Sequence, residues 1–241
     1  MKFSNPPKDK PAGAFTLIEL LTVIAIIAIL MGLLFPVFST VRESARKTQA
    51  KSDEANIVTA VKAYYTEYGK YPAPLSTGTS NAFYGAGTVS GITWTGNNSL
   101  LFDILRNNTA GSNSSTVTSF NPRQIVFMEL PSVKNNTTPV SGVIPNGSTG
   151  PGNTTAGTYY DPWGSPYNVG IDAGYSNSIT NPYGTTGPGG SPLSTGAIAF
   201  AYGRNGLLGG DTSSTSIPKG FTSEGGTPNV YTGSGDVISW Q

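Results

Sequence analysis

Hydrophobic positions form one uninterrupted block near the start of the chain and become periodic afterwards. Residues 15–38 read FTLIELLTVIAIIAILMGLLFPVF, with Glu19 as the one charged residue. At 1.5 Å per residue this block makes a helix of about 36 Å, longer than the roughly 30 Å hydrocarbon core of a bilayer. The pattern therefore predicts a transmembrane helix over 15–38.

A secretory signal peptide is the first alternative for this block. A signal peptide has a shorter apolar core, and its small-residue cleavage site follows that core. Here the small residues Gly13 and Ala14 come before the apolar residues. We therefore expect the apolar segment to be retained and the polar, basic residues 1–14 to form a leader.

The helix is predicted to continue beyond the apolar block, because residues 39–68 contain neither Gly nor Pro and are rich in helix formers. Apolar side chains recur there at spacings of three and four. This stripe comprises Val58, Val61, Tyr65 and Tyr68, flanked by Ile57 and Tyr64. The opposite, polar face comprises Lys51, Glu54, Lys62 and Glu67. Gly69 and Pro72 form a stop signal, so we predict an amphipathic continuation over 39–72 that docks on a domain.

The remaining chain divides into two predicted regions. Residues 73–158 form an insert rich in Ser, Thr, Asn and Gly, and residues 159–241 form a C-terminal β domain. The candidate elements are a helix at 99–107, strands at 124–130, 196–203 and 236–240, and long surface loops at 109–119 and 134–158. Short strands beside one long helix predict an α+β fold, in which the helix packs on a small antiparallel sheet with long loops.

Composition excludes several kinds of chemistry. The chain has 14 Lys and Arg against 13 Asp and Glu, and this balance provides no basic surface for nucleic acid. It has no Cys and no His, which excludes thiol nucleophiles, disulfides, Ser-His-Asp triads and most zinc sites. Carboxylate chemistry and oxygen-ligand metals remain, and we expect a protein that is not an enzyme.

Glu19 is the unusual residue of the apolar block, because an ionised side chain inside a membrane costs about 2.5–3.5 kcal/mol. If the chain is cut between Ala14 and Phe15, a new α-amine appears at Phe15. In an assembly of parallel helices, Glu19 of one copy can pair with that amine on its neighbour and set the axial register. A Glu tolerated near the membrane interface is the alternative interpretation.

These residues resemble the N-terminus of type IV pilins and of the pseudopilins of type II secretion systems. The shared features are a short basic leader, a small residue before the cut, the sequence FTLIE and the apolar helix; Ala14 stands where the family usually has Gly. The resemblance implies that a prepilin peptidase recognises Gly13 and Ala14 and cleaves before Phe15. It also implies N-methylation of Phe15 and a role for Glu19 as the assembly carboxylate.

The resemblance further implies a single-pass protein of the bacterial inner membrane with its C-terminal domain outside the cytoplasm. Such a subunit contacts lipid before assembly, is polymerised by an inner-membrane assembly platform, and forms a helical homo-oligomer in the periplasm or at the cell surface. Charge bias alone gives no orientation, because three basic residues precede the apolar block and four follow it closely.

Two further segments resemble major pseudopilins, AVKAYYTEYGKYPAP at 60–74 and DPWGSPYNVG at 161–170. In the second segment, Pro and Gly favour tight turns while Trp163 and Tyr167 supply apolar bulk to cap a core. An aromatic platform for a ligand is the alternative for these two rings.

The segments YGRNGLLGGD at 202–211 and GDVISW at 235–240 resemble the calcium loop of major pseudopilins. The resemblance implies a structural Ca²⁺ held by Asn205, Leu207, Gly210, Asp211 and Asp236, with backbone carbonyls supplied between Leu207 and Gly210. Asn205 stands where the family tends to have Asp, and Asp211 and Asp236 lie further apart than in the family loop. A Gly-rich hairpin with solvated aspartates is the alternative.

We expect a structural subunit that polymerises into a filament, nearest to the major pseudopilin of a type II secretion system. A type IV pilin serving adhesion or motility is an alternative of the same class. An alternative of another class is a membrane-anchored carbohydrate-binding or hydrolytic domain. Its candidate carboxylates are Asp103, Glu129, Asp161 and Asp172.

Overall fold

The structure, a computed structural model, describes residues 15–74, 81–86, 92, 94–205 and 236–240. The chain divides into two compact units between Ala45 and Arg46. The helices are α1 (Leu17–Tyr68), α2 (Asn98–Leu105) and α3 (Ser114–Phe120). The strands are β1 (Ala82–Tyr84), β2 (Trp94–Gly96), β3 (Gly142–Val143), β4 (Tyr159–Tyr160), β5 (Asn168–Ile171), β6 (Ala197–Ala201) and β7 (Val237–Ile238).

The predicted continuous helix is confirmed as α1. Its C-terminal end follows the expected stop signal: Gly69 adopts a φ of 65°, and its N–H donates to the carbonyl of Tyr65. A left-handed residue directly after the last turn is the common way to close a helix. Among the residues that the structure describes, no helix is long and apolar enough to cross a membrane, so the predicted span over 15–38 is not confirmed.

In the described part of the second unit, five strands form a sheet in the order β2-β1-β5-β6-β7. Strands β3 and β4 make a separate antiparallel pair. Neighbours in the larger sheet are antiparallel except β1 and β2, which run parallel. The predicted antiparallel pairing is therefore confirmed for β1 with β5, β5 with β6 and β6 with β7, and the parallel pair β1–β2 makes the sheet mixed.

Helix α1 packs on one face of this sheet through its second half. Ile57, Val61 and Tyr64 are wholly buried and share a core with Val169 and Ala199 of β5 and β6. Tyr65, predicted within the apolar stripe, is 39% exposed, so the buried stripe is displaced from its predicted position.

Glu54 also departs from the prediction. We expected it on the solvent-facing side of α1, but the structure buries it completely. The apolar positions nearest to it on the buried face are Ala50 and Ile57, which follow the three- and four-residue spacing of the docked face.

The other face of the sheet is covered by the chain between β5 and β6. Ile179, Tyr183 and Leu193 from that segment pack against Ile198 and Phe200 of β6. Both faces of the sheet are therefore buried, and strand β6 is apolar at every position.

Within 73–158, the helix predicted at 99–107 is confirmed as α2, but the strand predicted at 124–130 is wrong. These residues form no ladder; instead the N–H groups of Phe127 and Met128 both donate to the carbonyl of Leu105. Their apolar side chains pack against the main core, which explains the hydrophobic run. The predicted surface loops are also incomplete, because they contain α3 and β3.

Candidate processing and assembly site

The N-terminal end of α1 is closed by side chains of Thr16 and Glu19. The Thr16 N–H and its Oγ1 hydroxyl each donate to Glu19 Oε2 at 2.8 Å, and the Glu19 N–H lies 3.3 Å from Thr16 Oγ1. This reciprocal arrangement is a capping box, which satisfies amide groups that the first turn leaves without partners. It holds the Glu19 carboxylate at the first turn.

Phe15 is 77% exposed and lies just before the first residue of α1. Gly13 and Ala14, the other predicted processing residues, lie outside the described residues. Cleavage before Phe15 and pairing of Glu19 with a neighbour's amine stay predictions. The sequence reasoning missed Thr16 as the partner of Glu19, although the spacing T-x-x-E signals a capping box.

The first unit presents a long apolar surface. From Phe15 to Met31, the exposed large apolar side chains have between 47% and 88% of their surface open. Soluble monomers rarely expose contiguous apolar patches above a few hundred Å². A surface of this kind needs lipid or other protein chains to cover it.

In the second unit, the aromatic segment at 161–170 begins with a tight turn organised by Asp161. Its Oδ1 accepts hydrogen bonds from the backbone N–H groups of Trp163, Gly164 and Ser165, at 2.9, 2.7 and 2.9 Å. Gly164 has a φ of 100°, which side chains rarely tolerate. The turn therefore depends on both the Asp161 carboxylate and a glycine at position 164.

This turn seats Trp163 against Ala50 of α1 and Val237 of β7. Trp163 and Tyr167 are both buried, so the predicted core-capping role is confirmed for the two rings. Trp163 lines a cavity of about 510 Å³, whereas Tyr167 is wholly buried and has no open face for a ligand. Burial therefore argues against the aromatic platform only at Tyr167. Its hydroxyl donates to Asp53 Oδ2 at 2.9 Å and joins the turn region to α1.

Burial perturbs the carboxyl groups where α1 meets this turn. Burial raises the pKa of Asp161 to about 7, against the opposing effect of its three backbone donors. Burial, and then the charge of Asp161, raise the pKa of Glu54 well above its ordinary value. Burial also raises the pKa of Asp53, although the hydroxyl of Tyr167 favours its charged form.

Of the predicted calcium ligands, Asp236 has a described side chain. It is buried, and its Oδ2 accepts a 2.8 Å hydrogen bond from the Tyr183 hydroxyl. Asn205 ends a short 3₁₀ helix, Gly203–Asn205, and Leu207, Gly210 and Asp211 lie outside the described residues. In the described ranges, no group of three or more acidic side chains is placed to hold a metal ion. The predicted calcium loop as a whole is therefore untested.

The four carboxylates considered for hydrolysis lie in separate local contacts. Asp103 accepts from the amide groups of Asn108 and Asn113, and Asp172 accepts from Ser176 and Asn177. Asp161 organises its own turn, while Glu129 is exposed. These local roles give no support to an acid/base pair.

Residues 9–35 match the protein family described as the prokaryotic N-terminal methylation motif. The chain has a pilin-like N-terminus. This motif is typical of type IV pilin-like proteins, and it implies processing by a prepilin peptidase and assembly into a filament in general. No curated protein and no solved structure matches the chain.

Proposed function

We propose that this chain is the repeating structural subunit of a helical filament, most similar to the major pseudopilin of a type II secretion system. The observation that carries the proposal is the methylation motif at 9–35, which includes the first part of α1 and its exposed apolar side chains. In this role the chain needs no catalytic residues. Packing of the apolar helices between copies buries the surface that the first unit exposes.

The proposed pathway begins with a precursor anchored in the bacterial inner membrane by residues 15–38. A prepilin peptidase cleaves between Ala14 and Phe15, and the new amine of Phe15 is N-methylated. An inner-membrane assembly platform then transfers the subunit from lipid into the filament. During this step, Glu19 pairs with the Phe15 amine of a neighbouring copy, which compensates a charge that is costly in an apolar environment.

The pseudopilin assignment is favoured over a type IV pilin by the segments DPWGSPY and GDVISW. In the structure, the first segment caps the core through Trp163, and the second supplies β7. A deletion strain provides the comparison between the two alternatives. Loss of extracellular enzymes with normal motility and adhesion supports the pseudopilin, and the reverse phenotype supports the pilin.

Filament assembly itself is tested on the protein from its native host. Electron microscopy of sheared surface material, or of cells that overproduce the chain, is expected to show filaments that contain it. Mass spectrometry of that material is expected to find Phe15 as the first residue, carrying one methyl group. An intact Met1, or a cut near Phe38, would contradict the interpretation of the N-terminus.

We also propose a structural calcium ion at the C-terminal loop. Asp211 and Asp236 would supply carboxylates and Asn205 an amide oxygen, which are donors that calcium prefers. The buried position of Asp236 beside β7 places one of these groups at the sheet. Bound calcium would then stabilise the C-terminal part of the second unit.

A further inference from the structure

Glu54 is an acidic residue in an apolar position. It is wholly buried on the docked face of α1, and neither of its carboxyl oxygens makes a hydrogen bond of normal geometry. One donor, the backbone N–H of Ala201 in β6, still favours its charged form. A buried charge without a partner is far more costly than a buried neutral group, so such an acid tends to keep its proton.

Asp161 is the second carboxyl group at this position. It is also wholly buried, and its Oδ1 is occupied by three backbone N–H groups of its own turn. Its Oδ2 is buried and has no hydrogen-bond partner. The negative charge of Asp161 disfavours ionisation of Glu54.

The groups around the pair do not cancel this charge. On α1, Asp53 adds a further negative charge, whereas Lys51 and Arg46 are positive but exposed. The phenols of Tyr159 and Tyr167 lie near Asp161. Tyr183, which lies near Glu54, donates to Asp236 before β7. Within the described residues, Lys51 and Arg46 therefore act on Glu54 and Asp161 only from the surface of the protein.

We propose that Glu54 and Asp161 are two buried acids that keep their protons where α1 meets the Asp161 turn, and that loss of these protons weakens this contact. While either acid is protonated, at most one buried negative charge lies at the contact. With both ionised, two buried negative charges lie there. Since Trp163 of the same turn packs on Ala50, one turn from Glu54, its burial reports on the contact.

The pair makes folding depend on pH in an unusual direction. Both carboxyl pKa values are raised in the folded chain, that of Asp161 to about 7. The folded chain therefore holds protons that the unfolded chain releases near pH 4, and stability falls as the pH rises from there through the folded-state values. Asp53 and Asp103, whose pKa values burial also raises, contribute in the same direction.

The test is a set of thermal melts of the full chain in detergent micelles with chelator, at pH 5, 7 and 9. Glu54→Gln removes the titrating group, and Glu129→Gln makes the same chemical change at an exposed residue. The melting temperatures of the wild type and of Glu129→Gln are expected to fall by several degrees between pH 5 and pH 9. Glu54→Gln is expected to lose much less and to melt above the wild type at pH 9. An equally steep loss in Glu54→Gln, or a wild-type midpoint that rises with pH, would overturn the pair.

Two further measurements keep the proposal decidable. If Glu54→Gln does not fold, infrared difference spectra of the wild type between pH 5 and pH 9 are compared with those of Asp161→Asn. A protonated carboxyl band that disappears above neutral pH in the wild type, and is altered in Asp161→Asn, supports the pair; its absence at pH 5 contradicts it. Added Na⁺ or Ca²⁺ that restores the wild-type midpoint at pH 9, but leaves Glu54→Gln unchanged, would show a bound cation in place of the retained protons and would overturn the proposal.

Discussion

The Glu19 carboxylate has two roles that differ in what they need from the side chain. It accepts two hydrogen bonds from Thr16 and so closes the first turn of α1. In the proposed filament it also supplies a negative charge for the neighbour's amine. A helix cap needs only an oxygen acceptor and contributes about 1 kcal/mol, whereas the pairing needs the charge.

Two substitutions at Glu19 separate these roles. Glu19→Gln keeps a capping oxygen and loses the charge, and Glu19→Ala loses both. We expect both variants to insert into the membrane, because each removes a costly charge, and both to give few filaments. The amount of subunit in sheared material, relative to the membrane fraction, measures the effect.

Thr16→Val is the reciprocal control, because it removes the hydroxyl of the cap and keeps the charge. If assembly depends on the charge, this variant assembles better than Glu19→Gln. Normal filament yield from Glu19→Gln together with poor yield from Glu19→Ala and Thr16→Val would assign the requirement to the helix cap.

Asp161 offers a second prediction at a single residue. Asp161→Ala leaves three backbone N–H groups of the turn without their acceptor, and we expect it to lower the free energy of unfolding by roughly 1–3 kcal/mol or more. Asp161→Asn retains one side-chain oxygen as an acceptor and is expected to lose less. Denaturant unfolding at pH 5, followed by tryptophan fluorescence, compares the two. Equal losses would mean that the turn does not depend on this acceptor.

Sequence alone predicts some of these side-chain contacts and not others. The T-x-x-E spacing of Thr16 and Glu19 is local, so a capping box can be identified without a structure. The burial of Glu54 cannot be identified from sequence, because it depends on where the Asp161 turn and the end of β6 meet α1. Helical spacing shows which residues share a face, but it does not show which face docks.

At the scale of elements, the adjacent tyrosines of α1 test which face docks. Tyr64 is wholly buried, and its hydroxyl donates to the Phe120 carbonyl at 2.6 Å. Tyr65 is partly exposed, and its ring stacks on that of Tyr71 with 4.5 Å between the ring centroids. We expect Tyr64→Ala to cost roughly 3–5 kcal/mol of stability and Tyr65→Ala about 0.5–1.5 kcal/mol. Thermal and denaturant unfolding measure both. Similar losses of stability in the two variants would contradict the conclusion that α1 docks through the face that carries Tyr64.

Elements with a strong local pattern were predicted well. Strands β6 and β7 lie within the predicted segments 196–203 and 236–240, and α2 lies close to 99–107. Segment 124–130 has the composition of a strand but is held by its side chains and by the Leu105 carbonyl. Hydrophobic composition shows that a segment is buried, and pairing depends on whether another strand has a free edge beside it.

At the scale of the whole molecule, the larger sheet joins strands that are distant in sequence. Strands β1 and β2 come from the region between 73 and 158, for which the sequence offered no resemblance, yet β1 pairs with β5. The parallel pairing of β1 with β2 likewise has no local signature. The α+β class was predictable from the order of elements, but the strand order required the tertiary structure.

The calcium proposal gives the last prediction at this scale. The second unit has few charges and no Cys, so a cation with oxygen ligands is one of few means to hold its C-terminal loop. The melting temperature of the full chain in detergent is expected to be higher with Ca²⁺ than with chelator. Calcium that binds only the folded form adds about 2.7 kcal/mol at a hundred times its dissociation constant.

Asp236→Asn makes this prediction specific, because it preserves an oxygen that can accept from the Tyr183 hydroxyl and removes the charge that attracts calcium. We expect this variant to fold and to lose most of the calcium response. Asp172→Asn makes the same change at another buried aspartate with hydrogen-bonded partners, and it is expected to respond like the wild type. Equal midpoints with and without calcium in the wild type, or a full response in Asp236→Asn, would contradict a calcium ion bound at Asp236.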